Sequence, residues 1–318
     1  MANRGLLLIV GNGLSMDLAQ QFPLSLSKWP TSSPLKWEVV HPELGRPFAE
    51  LFPRAFAALG NAPSASSDFE RMTRLVAVLD TYSSQEVVEL RHFLVMAFSM
   101  YQRVVDRLQM DEWRWFRFMQ ENAPRLGGIV SLNYDLVVER IASMAGVGLG
   151  TPALPQPSSS PFDGFRGHKA VIWKPHGSID YRPDRNAIVM PTTYPISNWF
   201  IDPDLPLEWC PKSEWTIPRV SADVVVPTES SRYRHFQWVT PGEQWMRARR
   251  GQWDVCVIVG VSYAECDREE IDVALCALPR GAAVFVVDPS PSAALLRRLD
   301  ELGLRATTVR EPPVLGAA

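Results

Sequence analysis

Short apolar runs that each end at a turn of Gly, Asn, Asp, His or Ser constrain the fold of this chain most. They predict strands over Gly5–Val10, Gly128–Leu132, Lys169–Trp173, Trp253–Gly260 and Ala282–Asp288, with a possible edge strand over Arg305–Val309. Continuous apolar runs are typical of parallel strands that are buried on both faces. Stretches with helical spacing lie between several of the runs. The alternation predicts an α/β fold built on a parallel sheet.

A long helical stretch, residues 44 to 122, separates the first predicted strand from the second. Apolar residues recur there at helical spacing over Phe48–Leu59, Phe69–Leu79, Gln85–Leu108 and Met110–Met119. Serines precede two of these stretches in the position of an N-cap. We therefore predict an all-helical block over 44–122, inserted into one α/β domain made of residues 1–43 and 123–318.

Irregular sequence fills much of the middle of the chain. Residues 151–165 are rich in Pro, Ser and Gly, which predicts a loop. Residues 181–237 are rich in Pro, Trp and Tyr, with short predicted strands at 187–190 and 223–226. Long irregular segments in compact enzymes often cover a site. Further helices are predicted over 136–144, 241–249, 268–278 and 291–302.

Composition excludes several functional classes. The 318 residues carry a net charge of −3, which argues against direct binding of nucleic acid. The four cysteines form no Cys-x-x-Cys pair, so no zinc site is expected. No apolar run approaches the length of a membrane span, and no targeting segment is evident, so we expect a cytoplasmic protein.

The turn after the first strand is Gly11-Asn12-Gly13, and a helix is predicted from about Ser15. A glycine-rich turn that opens a helix offers bare backbone N–H groups to a phosphate. Met16 stands where a dinucleotide fingerprint has its third glycine, so a plain tight turn explains the pattern equally well.

Polar residues at the other strand ends are candidates for chemistry. Asn133 could hold a ribose hydroxyl or a carboxamide, and Asp135 could stabilise positive charge or cap the next helix. His176 follows a strand and precedes Gly-Ser, which favours a general base over a structural histidine. Asp288 could bind ribose hydroxyls and favour NAD over NADP, or it could be a helix N-cap or a turn residue before Pro289.

Five motifs in order give the chain a family resemblance. They are Gly-Asn-Gly-Leu-Ser (11–15), Leu-Asn-Tyr-Asp (132–135), Lys-Pro-His-Gly-Ser-Ile (174–179), Val-Gly-Val-Ser-Tyr-x-x-x-Asp (259–267) and Val-Val-Asp-Pro (286–289). The set resembles the sirtuin-like domains of bacterial antiphage defence proteins. The resemblance implies a Rossmann-like sheet, with helices on both faces, that binds NAD as substrate.

The resemblance also implies roles for the strand-end residues. Asn133 and Asp135 would lie by the nicotinamide ribose and His176 would be the base. The residues implied for the rest of NAD are Gly11, Asn12, Gly13 and Ser15 in the first loop, Gly260 and Ser262 in the fourth motif, and Asp288 at the adenosine ribose. Protein-deacetylating sirtuins differ in carrying a four-cysteine zinc ribbon and a Gly-Ala-Gly loop followed by Gly-x-Pro-Asp-Phe-Arg.

Hydrolysis of NAD to nicotinamide and ADP-ribose is the function that this combination favours. Two alternatives stay open: a non-catalytic NAD or ADP-ribose binding scaffold, and an ADP-ribosyltransferase. A dehydrogenase is the least favoured class because the third glycine is missing. Constant NAD hydrolysis would harm the host, so we expect regulation by homo-oligomerisation or by a partner such as a sensor or a helicase-like ATPase.

Overall fold

The computed structural model describes residues 5–26, 36–62, 67–79, 84–152, 168–183, 207–216 and 238–316, together with Ala65 and Val224. Nine strands are found in these residues: β1 Gly5–Val10, β2 Leu126–Ser131, β3 Val147–Gly150, β4 His168–Trp173, β5 Tyr181–Pro183, β6 Leu207–Trp209, β7 Trp253–Val259, β8 Ala283–Val287 and β9 Arg305–Val309. The helices described are α1 Gly13–Gln21, α2 Pro23–Leu26, α3 Phe48–Leu51, α4 Pro53–Asn61, α5 Asp68–Leu79, α6 Gln85–Val105, α7 Arg114–Asn122, α8 Val137–Met144, α9 Thr240–Ala248, α10 Arg268–Cys276 and α11 Ala293–Glu301.

Seven of the strands form one sheet in the order β3-β4-β2-β1-β7-β8-β9. Every neighbouring pair in this sheet is parallel. The predicted fold class, a Rossmann-like parallel sheet, is confirmed. β1 lies in the middle, with β2 on one side and β7 on the other. Ligands of open α/β sheets bind beyond the carboxyl ends of the strands where the strand order reverses, which is next to β1 here.

Helices cover both faces of the sheet because alternate residues of each central strand point to opposite sides. Leu6, Leu8 and Val10 of β1 share a hydrophobic core with helices α1 to α8. Leu7 and Ile9 share a second core with α9, α10 and α11. The apolar run of β1 therefore contributes to both cores.

The residues predicted as an inserted helical block do form helices, α3 to α7, between β1 and β2. The predicted caps are also present. The hydroxyl of Ser84 accepts a hydrogen bond from the N–H of Val87, and the hydroxyl of Ser67 accepts one from the N–H of Glu70. Buried residues of this block lie in the same hydrophobic core as β1 and β2. The block is thus one layer of the α/β fold, and the domain boundaries at 43 and 122 stay predictions.

Several predicted elements differ in their bounds. The helix predicted over 48–59 is two helices that meet at Phe52, because Pro53 has no N–H to continue the first one. α7 begins at Arg114, later than the predicted Met110. The short strand β3 was not predicted, since Gly148 and Gly150 interrupt its apolar pattern.

The irregular segment predicted over 181–237 contains two short strands, β5 and β6. β5 and β6 pair antiparallel, with Tyr181 opposite Trp209. Of the predicted strand at 223–226 only Val224 is described, and it forms an isolated bridge with Gly177. The predicted strand at 187–190 and residues 153–165 of the predicted loop lie outside the described residues.

No helix among the described residues is long and apolar enough to cross a membrane.

Candidate functional site

A cleft of about 1130 Å³ lies beyond the carboxyl ends of the central strands. Its volume is slightly above the roughly 1,000 Å³ that bounds most small-molecule sites, so a ligand of dinucleotide size can be accommodated. The cleft brings together nearly all of the predicted site residues, which come from five separate strand ends: Gly11, Asn12, Gly13, Asn133, Asp135, His176, Gly260, Ser262 and Asp288. Ser15, the remaining one, lies buried next to Asp135.

The glycines of the first loop serve backbone packing. A Cβ atom on Gly13 would lie 2.3 Å from the Cα of Gly260, and one on Gly11 would lie 2.4 Å from the Gly260 carbonyl oxygen. Gly260 itself has a φ of +58°, which side chains of L-residues rarely adopt. The turns after β1 and β7 therefore touch through their main chains, and this contact requires glycine on both sides.

The expectation of bare N–H groups in this loop is wrong for both glycines. The N–H of Gly11 donates to the carbonyl of Val259 at 2.9 Å, and the N–H of Gly13 donates to that of Gly260 at 3.1 Å. These bonds extend the β1–β7 ladder into the turn. Both glycines thus shape the cleft wall, and neither of their amides points at a ligand.

Asn133 and Asp135 are joined by Ser15 into a buried hydrogen-bond network. The hydroxyl of Ser15 donates to Asp135 Oδ2 at 2.7 Å. Asn133 Nδ2 donates to the carbonyl of Gly11 at 3.2 Å and to Ser15 Oγ at 3.4 Å. The network ties the turn after β2 to the loop after β1, so the position of the Asn133 amide is set from two sides.

The Asp135 carboxylate is only 1% exposed and has structural partners. Its Oδ1 accepts from the N–H of Val137, the first residue of α8, although Leu136 and not Asp135 is the N-cap residue of that helix. Burial raises the pKa of Asp135, against the opposing effects of the Ser15 hydrogen bond and the charge of Lys174. Asp135 therefore supports the site mainly through its position and its buried charge.

Lys174 is a residue whose role the sequence did not indicate. Its ammonium group donates to the carbonyl of Asp135 at 2.5 Å and to Glu139 Oε1 at 2.7 Å. The side chain is 2% exposed, so both bonds are shielded from water. Lys174 thereby fixes the end of β4, which carries His176, against the start of α8.

His176 is held with one ring nitrogen against the protein. Nδ1 lies 3.2 Å from the carbonyl oxygen of Leu132. A carbonyl oxygen only accepts hydrogen bonds, so Nδ1 carries the ring proton and Nε2 is the basic nitrogen. The following Gly177 has a φ of +81°, which the tight turn after His176 requires. His176 is buried, and it lines the cleft.

Asp267 is a cleft residue that was not predicted as part of the site. Its Oδ1 lies 3.7 Å from His176 Nε2. Asp267 is the final residue of the Val-Gly-Val-Ser-Tyr-x-x-x-Asp motif, so the motif itself was the signal that could have pointed to it. The loop that precedes it contains Tyr263 at a φ of +54°, an uncommon conformation for a bulky side chain and one that concentrates at functional sites.

Asp288 and Ser262 lie on the side of the cleft formed by β7, β8 and β9. Asp288 Oδ1 accepts from the N–H of Ser290 at 2.7 Å, so the turn that was considered as its alternative role is present. Ser262 is exposed at the rim. Arg310, at the end of β9, also lines this side.

The helical block supplies the opposite wall, which the sequence did not predict. It combines three aromatic side chains, Phe69, Phe98 and Trp115, with the polar or charged residues Ser67, Glu70, Thr73 and Arg114. Their signal in the sequence was indistinguishable from ordinary helix packing.

Negative charge dominates the lining that the structure describes. The carboxylates are Asp17, Glu70, Asp135, Glu265, Asp267, Asp288 and Glu311, and the arginines are Arg114 and Arg310. Arg114 is itself paired with Asp17 and Glu311. Such a field attracts a cationic group of a ligand.

Cys266, also in the lining, is unsuited to act as a thiolate because burial raises its pKa. Among the described residues, no group of three metal-ligating side chains is found.

No protein-family model matches this chain, and no curated protein matches it.

Proposed function

We propose that this chain hydrolyses NAD by breaking the bond between nicotinamide and its ribose. One observation carries the proposal: Asn133 and His176 follow different strands, β2 and β4, yet line one cleft at the carboxyl edge of a parallel sheet. The amide has a defined orientation and the imidazole has a defined basic nitrogen. A site that orients a ribose and activates water needs such a positioned polar group and such a general base.

The orientation of the Asn133 amide supports a role at the ribose. The carbonyl of Gly11 can only accept, so the nitrogen of the Asn133 amide must face it. Oδ1 is then left as an acceptor for a hydroxyl group. Because Ser15 also contacts the amide nitrogen, Asn133 would meet the ribose without reorganising.

His176 would act as the general base. Water loses a proton to Nε2, and its oxygen forms a bond to C1′ of the ribose as the C1′–N bond breaks. The bonding electron pair leaves with nicotinamide and neutralises its ring charge. The transition state resembles the oxocarbenium ion of glycoside hydrolysis. Nicotinamide is a good leaving group, so no acid is required at the nitrogen.

The carboxylates beside Asn133 and His176 fit the nicotinamide end of NAD in the same reaction. NAD carries positive charge on its nicotinamide ring, and the transition state moves that charge to the ribose. Asp135, buried beneath the turn after β2, stabilises positive charge at this position through a medium of low dielectric. The adenosine ribose would lie by Asp288, and the phosphates toward Ser262 and Arg310.

The resemblance to sirtuin-like defence domains supports a biological role. We propose that the chain is a cytoplasmic antiphage effector that depletes NAD when activated. Its activity would depend on homo-oligomerisation or on a partner sensor or ATPase, since unregulated NAD loss harms the cell.

The test measures nicotinamide release from NAD by purified protein carrying Asn133→Ala or His176→Ala. Each variant is expected to lose at least about a hundredfold in turnover, the usual range for a general base and for a positioned polar group. Asn61→Ala, at the exposed end of α4, is the matched control and should keep wild-type turnover.

Two results would favour the alternatives. NAD binding without release of nicotinamide would indicate a scaffold. Transfer of label from NAD to a protein or nucleic acid, with nicotinamide released but no free ADP-ribose, would indicate a transferase. Full turnover in both site variants would contradict the assignment of Asn133 and His176.

A further inference from the structure

The position of Asp267 has no local structural explanation. It is the N-cap residue of α10, where an aspartate ordinarily accepts a hydrogen bond from the first helical N–H groups. Its carboxylate makes no such cap bond. Oδ1 instead accepts a weak bond from the neighbouring Cys266 thiol and lies 3.7 Å from His176 Nε2.

A hydrogen bond to α10 holds the loop that carries Asp267. The hydroxyl of Tyr263 donates to Asp272 Oδ1 at 2.8 Å, and Arg298 of α11 pairs with the same carboxylate at 3.0 Å. The N–H of Asp267 donates to the carbonyl of Ala264 at 2.9 Å, which closes the turn. The carboxylate is therefore presented to the cleft by a fixed loop, with Tyr263 held in an uncommon backbone conformation.

The two ring nitrogens of His176 face different partners, and this determines what Asp267 can do. Nδ1 is occupied by the Leu132 carbonyl, so a proton taken from water must arrive at Nε2. Nε2 is the nitrogen that faces Asp267. A separation of 3.7 Å exceeds a direct hydrogen bond, and the carboxylate attracts the ring at this distance once His176 is protonated.

We propose that Asp267 is the positioning residue of the base. Once Nε2 has taken a proton, the Asp267 carboxylate stabilises the imidazolium and holds its ring in place, while the proton stays on His176 and no bond to Asp267 forms. This inference rests on the proposed hydrolysis of NAD. Both side chains are largely buried, Asp267 with 17% and His176 with 5% of the side chain exposed, so solvent weakens their interaction only partly.

Two measurements on Asp267→Asn test the proposal. The first is the turnover number and KM for NAD, measured with the whole chain. The turnover number should fall about tenfold to a hundredfold and KM should change little, because Asp267 acts on the base and does not hold the substrate. Asp267→Glu should recover part of the loss. Asp254→Asn, exposed on β7, should behave as the wild type.

The second measurement is NMR of the ring nitrogens, in protein whose histidines carry the NMR-active nitrogen isotope. At fixed pH and without NAD, Asp267→Asn should move the Nε2 resonance of His176, and Asp254→Asn should not. His176→Ala assigns the signal. An unmoved Nε2 resonance, or a loss confined to KM, would overturn the proposal. If the wild type releases no nicotinamide, the proposed function fails, and the resonance still decides whether Asp267 acts on His176.

Discussion

Single residues in this protein show how one sequence signal can have two physical causes. The Gly-Asn-Gly turn after β1 predicts contact with a phosphate, and the turn does lie in the cleft. Its glycines are nevertheless required by the main chain of Gly260, which approaches closer than any Cβ atom permits. The contact matters for the site because it sets the distance between the loops after β1 and β7.

Gly260→Ala tests this contact. The change adds a Cβ atom 2.2 Å from the Cα of Gly13 at a residue with a φ of +58°. Backbone strain and overlap together should lower the free energy of unfolding by about 3 kcal/mol or more. Chemical denaturation with circular dichroism measures the loss.

Gly146→Ala is the matched control for that experiment. Gly146 has a φ of +76°, but no atom lies within 4 Å of the position that an added Cβ atom would take, so only the strain applies. We expect a loss of about 1 kcal/mol. Equal losses in the two variants would show that disturbing the contact between Gly13 and Gly260 does not lower the free energy of unfolding.

The site could be predicted from the sequence because its residues follow strands that a local apolar pattern indicates. Asn133, His176 and Asp288 each stand at the end of an apolar run, and strand ends of a parallel sheet converge. The pairing of His176 with Asp267 depends on the path of the loop through Tyr263, which no local pattern encodes. The hydrogen-bond partners of Gly11 and Gly13 likewise depend on which strand lies next to β1.

At the scale of elements, Lys174 joins the end of β4 to α8. Its bonds to the Asp135 carbonyl and to Glu139 hold His176 and Asn133 in one arrangement. Desolvation raises the pKa of Glu139 to about 7, although the charge of Lys174 opposes this. The junction should therefore respond to pH.

The pH response follows from the direction of the shift. The pKa of Glu139 is about 7 in the fold against an ordinary value of 4.5. Its contribution to stability is thus fully present below about pH 4.5 and is lost as the pH rises through about 7. Relative to Glu139→Gln, the wild type should lose on the order of 2 kcal/mol of unfolding free energy over this range.

Denaturation of both proteins at several pH values checks this expectation. Glu121→Gln, at an exposed position in α7, serves as the control for the removal of a carboxylate. A constant difference for Glu139→Gln as well would mean that Glu139 titrates normally in the fold.

Elements were predictable where the apolar pattern was continuous. β1 and β8 follow uninterrupted apolar runs, and β7 follows one that only Asp254 interrupts; the structure has all three within about one residue of the predicted bounds. β3 and the β5–β6 pair are four residues or fewer in length, and their pairing is decided by distant parts of the chain.

For the whole molecule, the helical block is a structural layer and a wall of the cleft. Phe93 of α6 is fully buried and contacts Trp37, Phe48 and Phe52, while the same core reaches β1. The length of the block predicted an insertion, but its burial against the sheet could not be read from its own sequence. A block that shares its core with the sheet should unfold together with it.

Phe93→Ala and Leu295→Ala test this cooperativity from the two sides of the sheet. Phe93 lies in the core of the helical block and Leu295 in the core beneath α11. Each truncation should cost about 2 to 5 kcal/mol and shift one common transition. Coincident curves from tryptophan fluorescence and far-ultraviolet circular dichroism are expected; two separate transitions would show that the block is an independent domain.

The most direct test of the proposed activity is the product profile of NAD incubated with the whole chain, alone and with lysate of phage-infected cells as the source of an activator. We predict nicotinamide and ADP-ribose in equal amounts in at least one condition, and neither product above background with His176→Ala. Intact NAD bound to the protein in both conditions, with no nicotinamide released, would contradict the account.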